Sequence, residues 1–243
     1  MREQLDRLAA AAWPALEQVE VDGWLLRAAV SDTGVAVTRR ANSALAMSWD
    51  GVNLETSLLA VRDFYAARNL PPTVLVSDPA LATALDKRGW TAHTPTLCLT
   101  GPLPTGPVTG LTLTPAPSEP WLACWWAVDG RGNGPELDVS RNCLARIDSP
   151  AVYASVVVDG RTLAAGRAVA QDGWLGIFSM AVLPGCRRQG LARRVLAALG
   201  GWGREQGAQG AYLLIDATNA AARALYDDSG FCVAHEYHYR RLQ

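Results

Sequence analysis

Phe178-Ser179-Met180-Ala181-Val182-Leu183-Pro184-Gly185-Cys186-Arg187-Arg188-Gln189-Gly190-Leu191-Ala192 is the stretch on which the reading of this chain turns. Its first six residues form an apolar run of strand length, and Pro184-Gly185 stops it. Past Gly190 the period changes, with Leu191, Val195, Leu196 and Leu199 on one side of a helix. A helix start exposes unpaired backbone N–H groups and the positive end of the helix dipole, and both suit a phosphate. Gly190 and Ala192 add little bulk, so a ligand can approach the backbone closely. Arg187, Arg188, Arg193 and Arg194 crowd the same turn. The segment reads as a pyrophosphate cradle, although an ordinary strand-turn-helix connection with solvated arginines would share this pattern. Neither GxxxxGK[ST] nor GxGxxG occurs. The cluster Gly200-Gly201-Trp202-Gly203 is expected to end or kink the helix.

A second constellation follows. Residues 211–216 read as a buried strand and 219–228 as a helix, on which Asn219, Ala222 and Tyr226 share one face at i, i+3 and i+7. Leu225 sits beside that face, and Gly230 stops the helix before Phe231. A phenol on a helix rim beside an anion site can donate a proton. A core tyrosine with a satisfied hydroxyl is the other reading.

Arg187-x-x-Gly190-x-Ala192, with Asn219, Ala222, Leu225, Tyr226, Gly230 and Phe231 in that order, resembles the GNAT (Gcn5-related N-acetyltransferase) superfamily over residues 108–241. The resemblance implies acetyl-CoA as co-substrate, no metal, and direct transfer of its acetyl group to a primary amine. It assigns Met180, Ala181 and Val182 to a bulged strand whose free N–H groups meet pantetheine and the thioester carbonyl. Arg187, Arg188, Gln189, Gly190, Leu191, Ala192 and Arg193 would hold the pyrophosphate, largely through backbone N–H groups. Asn219 would cap its helix and contact the pantetheine arm or a nearby water. Tyr226 would protonate the departing thiolate. The base stays open among Asp216, water, and Glu136 and Asp138 of a turn-rich loop across 130–138 expected to face the acceptor, because the strand 174–183 carries no carboxylate where many family members place one. A non-catalytic acyl-CoA-binding or regulatory module is the alternative reading of the same residues.

Bulk properties narrow the rest. With 243 residues the chain suits two small domains, and an apolar share of 49% supports sizeable cores. A net charge of −1 gives no sign of a polyanion, so nucleic acid is not expected as a partner. The absence of a signal-like or membrane-length apolar segment, with five scattered cysteines and no CxxC, points to a cytoplasmic protein with reduced thiols and no membrane partner. The partner expected is a small-molecule or peptide amine; oligomeric state is not legible.

The densest Pro/Gly stretch, 101–120, places a linker at 101–107 and a strand at 108–114. We therefore expect an α/β (α+β) chain of tandem GNAT-like domains, 1–103 and 104–243, each a mixed, mostly antiparallel twisted sheet flanked by helices. The halves end alike: Asp78 and Asn219, and Gly89 and Gly230, both stand 141 residues apart. Where the second half has Tyr226, the first has Leu85, and its segment 50–53 carries no Arg/Gly cradle. The first half reads as a degenerate copy, with strands at 23–30, 33–40, 44–49 and 73–76, helices at 54–68 and 79–87, and a last strand at 96–100. Gly23-Trp24-Leu25-Leu26-Arg27 and the segment 38–43 resemble bacterial GNAT proteins that carry such a domain before the active one. Its expected role is to help form an acceptor cleft or to cover a sheet edge. His235-x-x-His238 is not expected to bind metal, since strand alternation separates the two rings. Trp121, Trp125 and Trp126 lie at helical spacing, as core or as an aromatic acceptor wall.

Overall fold

A computed structural model describes residues 1–47, 49, 53–130 and 134–242. Residues 50–52 of the segment that lacks a cradle motif, and 131–133 of the expected turn-rich loop, lie outside the described residues. The first half runs α1 (Arg2–Ala11), β1 (Glu17–Val21), β2 (Trp24–Ala28), β3 (Ala44–Ala46), α2 (Leu54–Ala66), β4 (Thr73–Val76), α3 (Pro79–Asp86) and β5 (Thr91–Gly101). The second runs β6 (Leu111–Thr114), α4 (Glu119–Asp129), α5 (Pro135–Leu144), β7 (Ala151–Val158), β8 (Arg161–Gln171), β9 (Trp174–Val182), α6 (Leu191–Glu205), β10 (Gly210–Asp216), α7 (Ala220–Asp227) and β11 (Cys232–Arg241).

Among the described residues all eleven strands join one mixed, mostly antiparallel sheet in the order β1-β2-β3-β4-β11-β5-β10-β9-β8-β7-β6. Read from its middle, that order is nearly a palindrome. β4 and β10 hold equivalent places, and the last strand of each half has crossed over. β11 pairs antiparallel with β4, while β5 pairs antiparallel with β10 and, on its other edge, with β11. The point 103/104 therefore divides the chain but not the sheet.

Alternating strand residues feed two core layers in the second half. Val152, Ala154 and Val156 pack with Val195, Leu196 and Leu199 of α6. Tyr153, Ala165 and Ala181 face the other way, onto Trp121, Trp125 and Val139 of α4 and α5. Leu5, Leu8 and Ala9 of α1 pack on Val169, Phe178 and Tyr212, so the first helix of the chain covers strands of its second half. α2 and α3 cover β2, β3 and β4 through Leu58, Val61, Leu81 and Leu85.

The repeated endings match in detail. Asp78 accepts from the Ala80 and Leu81 N–H groups at 2.7 and 3.0 Å, and Asn219 accepts from Ala222 N–H at 3.0 Å. Gly89 and Gly230 both take left-handed φ, +79° and +82°, and close their helices. The next residue's N–H then returns to the helix: Trp90 donates to Leu85 O at 3.1 Å and Phe231 to Tyr226 O at 3.0 Å.

Four expectations are corrected. Residues 33–40 form no strand, only a Val30–Ala36 bridge and a 3-10 turn at Arg39–Ala41. The strand read at 44–49 shortens to Ala44–Ala46. The loop read across 130–138 becomes, from Pro135, the first turn of α5, because proline at a helix start has no N–H to lose there. α6 runs straight through Gly200-Gly201-Trp202-Gly203. A Cβ on Gly200 would stand 2.0 Å from Pro104 O, and one on Gly203 2.7 Å from Leu175, so two of these glycines let the linker and β9 approach the helix.

Candidate active site

The sheet opens where the quoted stretch begins. β9 and β10 run parallel and pair from Trp174/Gly210 to Leu213/Ile177. Beyond that pair, β9 is paired only with β8 and β10 only with β5. The β8–β9 ladder slips between Ala165/Ala181 and Arg167/Phe178, so Ser179 and Met180 stand against the single residue Gly166. This is a β-bulge, and Ser179 carries it at φ +53°, a conformation unfavourable for a non-glycine residue. A Cβ on Gly166 would meet Met180 Sδ at 2.6 Å, so the glycine gives the bulge its room. Leu183 N–H donates to Leu163 O at 3.0 Å, toward β8. Alternation then turns the backbone groups of Val182 to the open edge, where its carbonyl accepts from Arg187 Nε at 3.3 Å.

The turn that follows suits an anion. Pro184–Cys186 make a 3-10 turn, Arg188 and Gly190 both adopt left-handed φ, and Gly190 starts α6 with no side chain capping its N–H groups. Nothing approaches the pro-Cβ position of Gly190 within 4 Å, so that side of the turn is open. That cradle fits a diphosphate. Among the described residues three of the four arginines have partners: Arg187 folds back on the Val182 carbonyl, Arg193 pairs with Asp228 at 2.6 Å, and Arg194 donates to Thr109 O just before β6. Leu191 is buried in the core, as is Ala181, so any contact these two make with a ligand is through backbone.

A cleft of about 570 Å³ leads from the β9/β10 opening toward the first half. Ser179, Met180, Asn219 and Tyr226 line one end. Tyr226 is buried, edge-on to Phe231 with ring centroids 5.9 Å apart, and burial pushes its pKa well above the usual phenol value. It is held as the neutral, proton-bearing form. Asn219 lines the cleft while capping α7.

Trp13, Thr38 and Arg40 of the first half, with Trp125 and Trp126 of α4, form the far wall. Trp121 serves the core instead, its Nε1 donating to Gly166 O at 3.0 Å. Glu136 and Asp216 line the cleft; Asp138 is not among its lining residues. Asp216 accepts from the N–H and the hydroxyl of Thr218 at 2.8 and 2.6 Å. Among the charged groups here that sequence reasoning missed, besides Arg39 and Arg40 of the first half, are Asp129 at the end of α4 and Arg167 on β8. Asp129 accepts from Trp125 Nε1 at 3.2 Å. Arg167 is wholly buried, and desolvation draws its pKa down to about 10. Neither carries a motif; only the folded sheet brings them to the cleft. His235 and His238 have separate partners, Asp6 and Glu236, each at 2.9 Å. Among the described residues, no cluster of His, Cys, Asp and Glu is placed to hold a metal ion.

A family model described as "Probable histone acetyltransferase Rv0428c C-terminal" matches residues 2–240. The chain belongs to that family. With it the GNAT superfamily is established for the whole span, first half included. The chain is 28% identical to "Uncharacterized N-acetyltransferase YobR" of Bacillus subtilis (strain 168) over 250 aligned residues, covering 98% of this chain and 97% of that protein. It is 29% identical to "Probable histone acetyltransferase Rv0428c" of Mycobacterium tuberculosis over 254 aligned residues, covering 98% and 73%. Among solved structures, a GCN5-related N-acetyltransferase from Kribbella flavida superimposes with a TM-score of 0.66 at 19% identity, covering 97% of this chain and 94% of that one. A tandem GNAT protein from the clavulanic acid biosynthesis pathway gives 0.66 at 12% identity, covering 98% and 87%. These two establish the shared fold. The names of the curated relatives support an acetyltransferase.

Proposed function

We propose that this protein transfers an acetyl group from acetyl-CoA to an amine, with residues 104–243 carrying the chemistry and 1–103 walling the acceptor side. One observation carries the reading: β9 and β10 part beyond Ile177 and Leu213, and past that opening β9 leads through its bulge to the uncapped start of α6 while β10 leads to α7, whose Tyr226 lines the cleft. The amides from Arg187 to Ala192 bind the diphosphate, and Arg187 and Arg188 add charge at its rim. The Val182 N–H on the open edge, with the bulged Met180 beside it, aligns the pantetheine arm and steadies the carbonyl oxygen as it becomes negative, while Ala181 turns its backbone groups to β8. One such donor is worth on the order of 3 kcal/mol in the transition state. Asn219 fixes the α7 start beside that arm.

The amine nitrogen forms its bond to the carbonyl carbon as the carbon–sulfur bond breaks. Tyr226 gives its proton to the departing sulfur. The proton released by the amine goes to a cleft carboxylate, among Glu136, Asp129 and Asp216, or to water. Five unpaired cysteines fit work in a reducing cytoplasm.

Acetyl-CoA titrated by calorimetry, followed by thiol release with a panel of amines, tests the assignment. Tyr226→Phe is expected to keep acetyl-CoA affinity within about twofold and to lower turnover by at least about tenfold, the low end of general-acid effects. An undiminished rate removes Tyr226 from the mechanism. Binding without turnover on any amine would mark an acyl-CoA-binding module, and no binding would dismiss the assignment.

A further inference from the structure

Arg167 is chemically out of place unless something joins it. Its side chain is wholly buried among the residues lining the cleft, and among the described residues Nη1 and Nη2 have no hydrogen-bond partner. Only Nε is engaged, with Ser179 Oγ at 3.3 Å. The rings of Phe178 and Trp13 face the guanidinium at 4.7 and 5.3 Å. Such contacts soften the loss of water but supply no counter-charge. A buried charge is normally paired, so an unpaired one in the floor of a cleft marks a place where a ligand brings the partner.

A second cation stands close by. The half-buried Arg40, delivered by the 3-10 turn of the first half, lies 5.9 Å from the same Phe178 ring, and its Nε is buried without a partner. Asp129 stands within electrostatic reach of Arg40. The lining of the cleft balances three arginines, Arg39, Arg40 and Arg167, against three carboxylates, Asp129, Glu136 and Asp216, which suits a ligand that carries both charges. The planar fork of arginine matches a carboxylate in shape as well as charge. Glu136 and Asp216 wall the same cleft and suit an ammonium group.

We propose that the acceptor is an amine that also carries a carboxylate, of amino-acid type, with its carboxylate received between Arg40 and Arg167 and its body against Trp13, Trp125 and Trp126. The proposal rests on the transferase reading above and goes beyond it by naming the substrate class. Arg40 and Arg167 thereby select the substrate, and Arg167 also steadies the bulge through Ser179.

The test compares each of the common L-amino acids with its own carboxamide as acceptor for the full chain with acetyl-CoA. O-phosphoethanolamine and a lysine peptide with blocked termini are included. We expect the preferred amino acid to exceed its amide at least tenfold in kcat/KM, mostly through KM. In Arg40→Gln and Arg167→Gln that ratio should collapse to within threefold; Arg40, half-buried on a 3-10 turn and outside the sheet, gives the decisive variant if Arg167→Gln does not fold. Amides that match their acids, or faster turnover of the phosphate-bearing amine or the blocked peptide, overturn the proposal and leave the transferase reading standing. If acetyl-CoA binds and nothing turns over, the transferase reading fails instead. Calorimetry with the N-acetyl amino acids and their amides then decides this one: tenfold tighter binding of the acids, lost in Arg40→Gln, keeps it, and equal binding ends it.

Discussion

Tyr226 and Leu85 occupy equivalent places in the two halves, each accepting the N–H of the residue after a left-handed glycine. Both are buried, and they differ only in what they bring to the neighbouring cleft. The phenol adds a proton-bearing group to that helix face, which is why Tyr226 stood out as a candidate from spacing and composition. Burial raises its pKa, so the neutral form, the donor in the proposed mechanism, persists as pH rises through the neutral and mildly alkaline range. A kcat–pH profile is therefore expected to show no falling limb between about pH 7 and 9.5 that disappears in Tyr226→Phe, since even an unshifted phenol titrates near 10. Such a limb would contradict the burial account. Arg167 shows the opposite case. Nothing in Ala165-Gly166-Arg167-Ala168 marks a site, because its isolation is a property of what surrounds it once folded.

At the scale of elements, the glycine cluster of α6 separates propensity from packing. Glycine weakens a helix interior, and the cluster therefore reads as a break. In the fold, Gly200 and Gly203 face the linker and β9 at distances no Cβ tolerates, whereas a Cβ on Gly201 would meet only the end of Arg204 at 3.8 Å. Opposite effects should follow from chemically identical changes. Gly200→Ala is expected to cost about 1–3 kcal/mol through overpacking, and Gly201→Ala to add about 0.4–1 kcal/mol by reducing the freedom of the unfolded chain. Urea unfolding of both variants checks this; equal effects would mean that α6 does not approach Pro104 as described. The bulge at Ser179-Met180 belongs here too. Its position followed from family resemblance, while Gly166, which makes room for it, lies on a different strand and is invisible to local reading.

The whole molecule is held together by exchange. β5 lies between β10 and β11, and α1 covers Phe178 and Tyr212, so residues 104–243 alone would expose the edges of β10 and β11 that β5 covers and an apolar face that α1 covers. Unpaired edges of that kind aggregate. We expect the 104–243 fragment to be insoluble or unfolded on its own, and the full chain to unfold in one transition by circular dichroism and fluorescence. A monomeric 104–243 fragment that binds acetyl-CoA would show the exchange to be dispensable. The same arrangement brings Trp13 and Arg40 to the cleft, giving the first half a place in the site despite its lack of a cradle.

The sequence by itself determined the local devices: the strand-turn-helix cradle, the capped helix bearing Tyr226, and the repeated endings. Each depends on residues within about a dozen positions of one another, where periodicity, caps and turn residues act directly. Tertiary structure alone decided that the two halves exchange their last strands, that α6 tolerates its glycines, and that Arg40, Asp129 and Arg167 meet in one cleft. Those outcomes depend on burial and on contacts between distant segments, and a charge acquires its meaning as a site only after folding has removed its water.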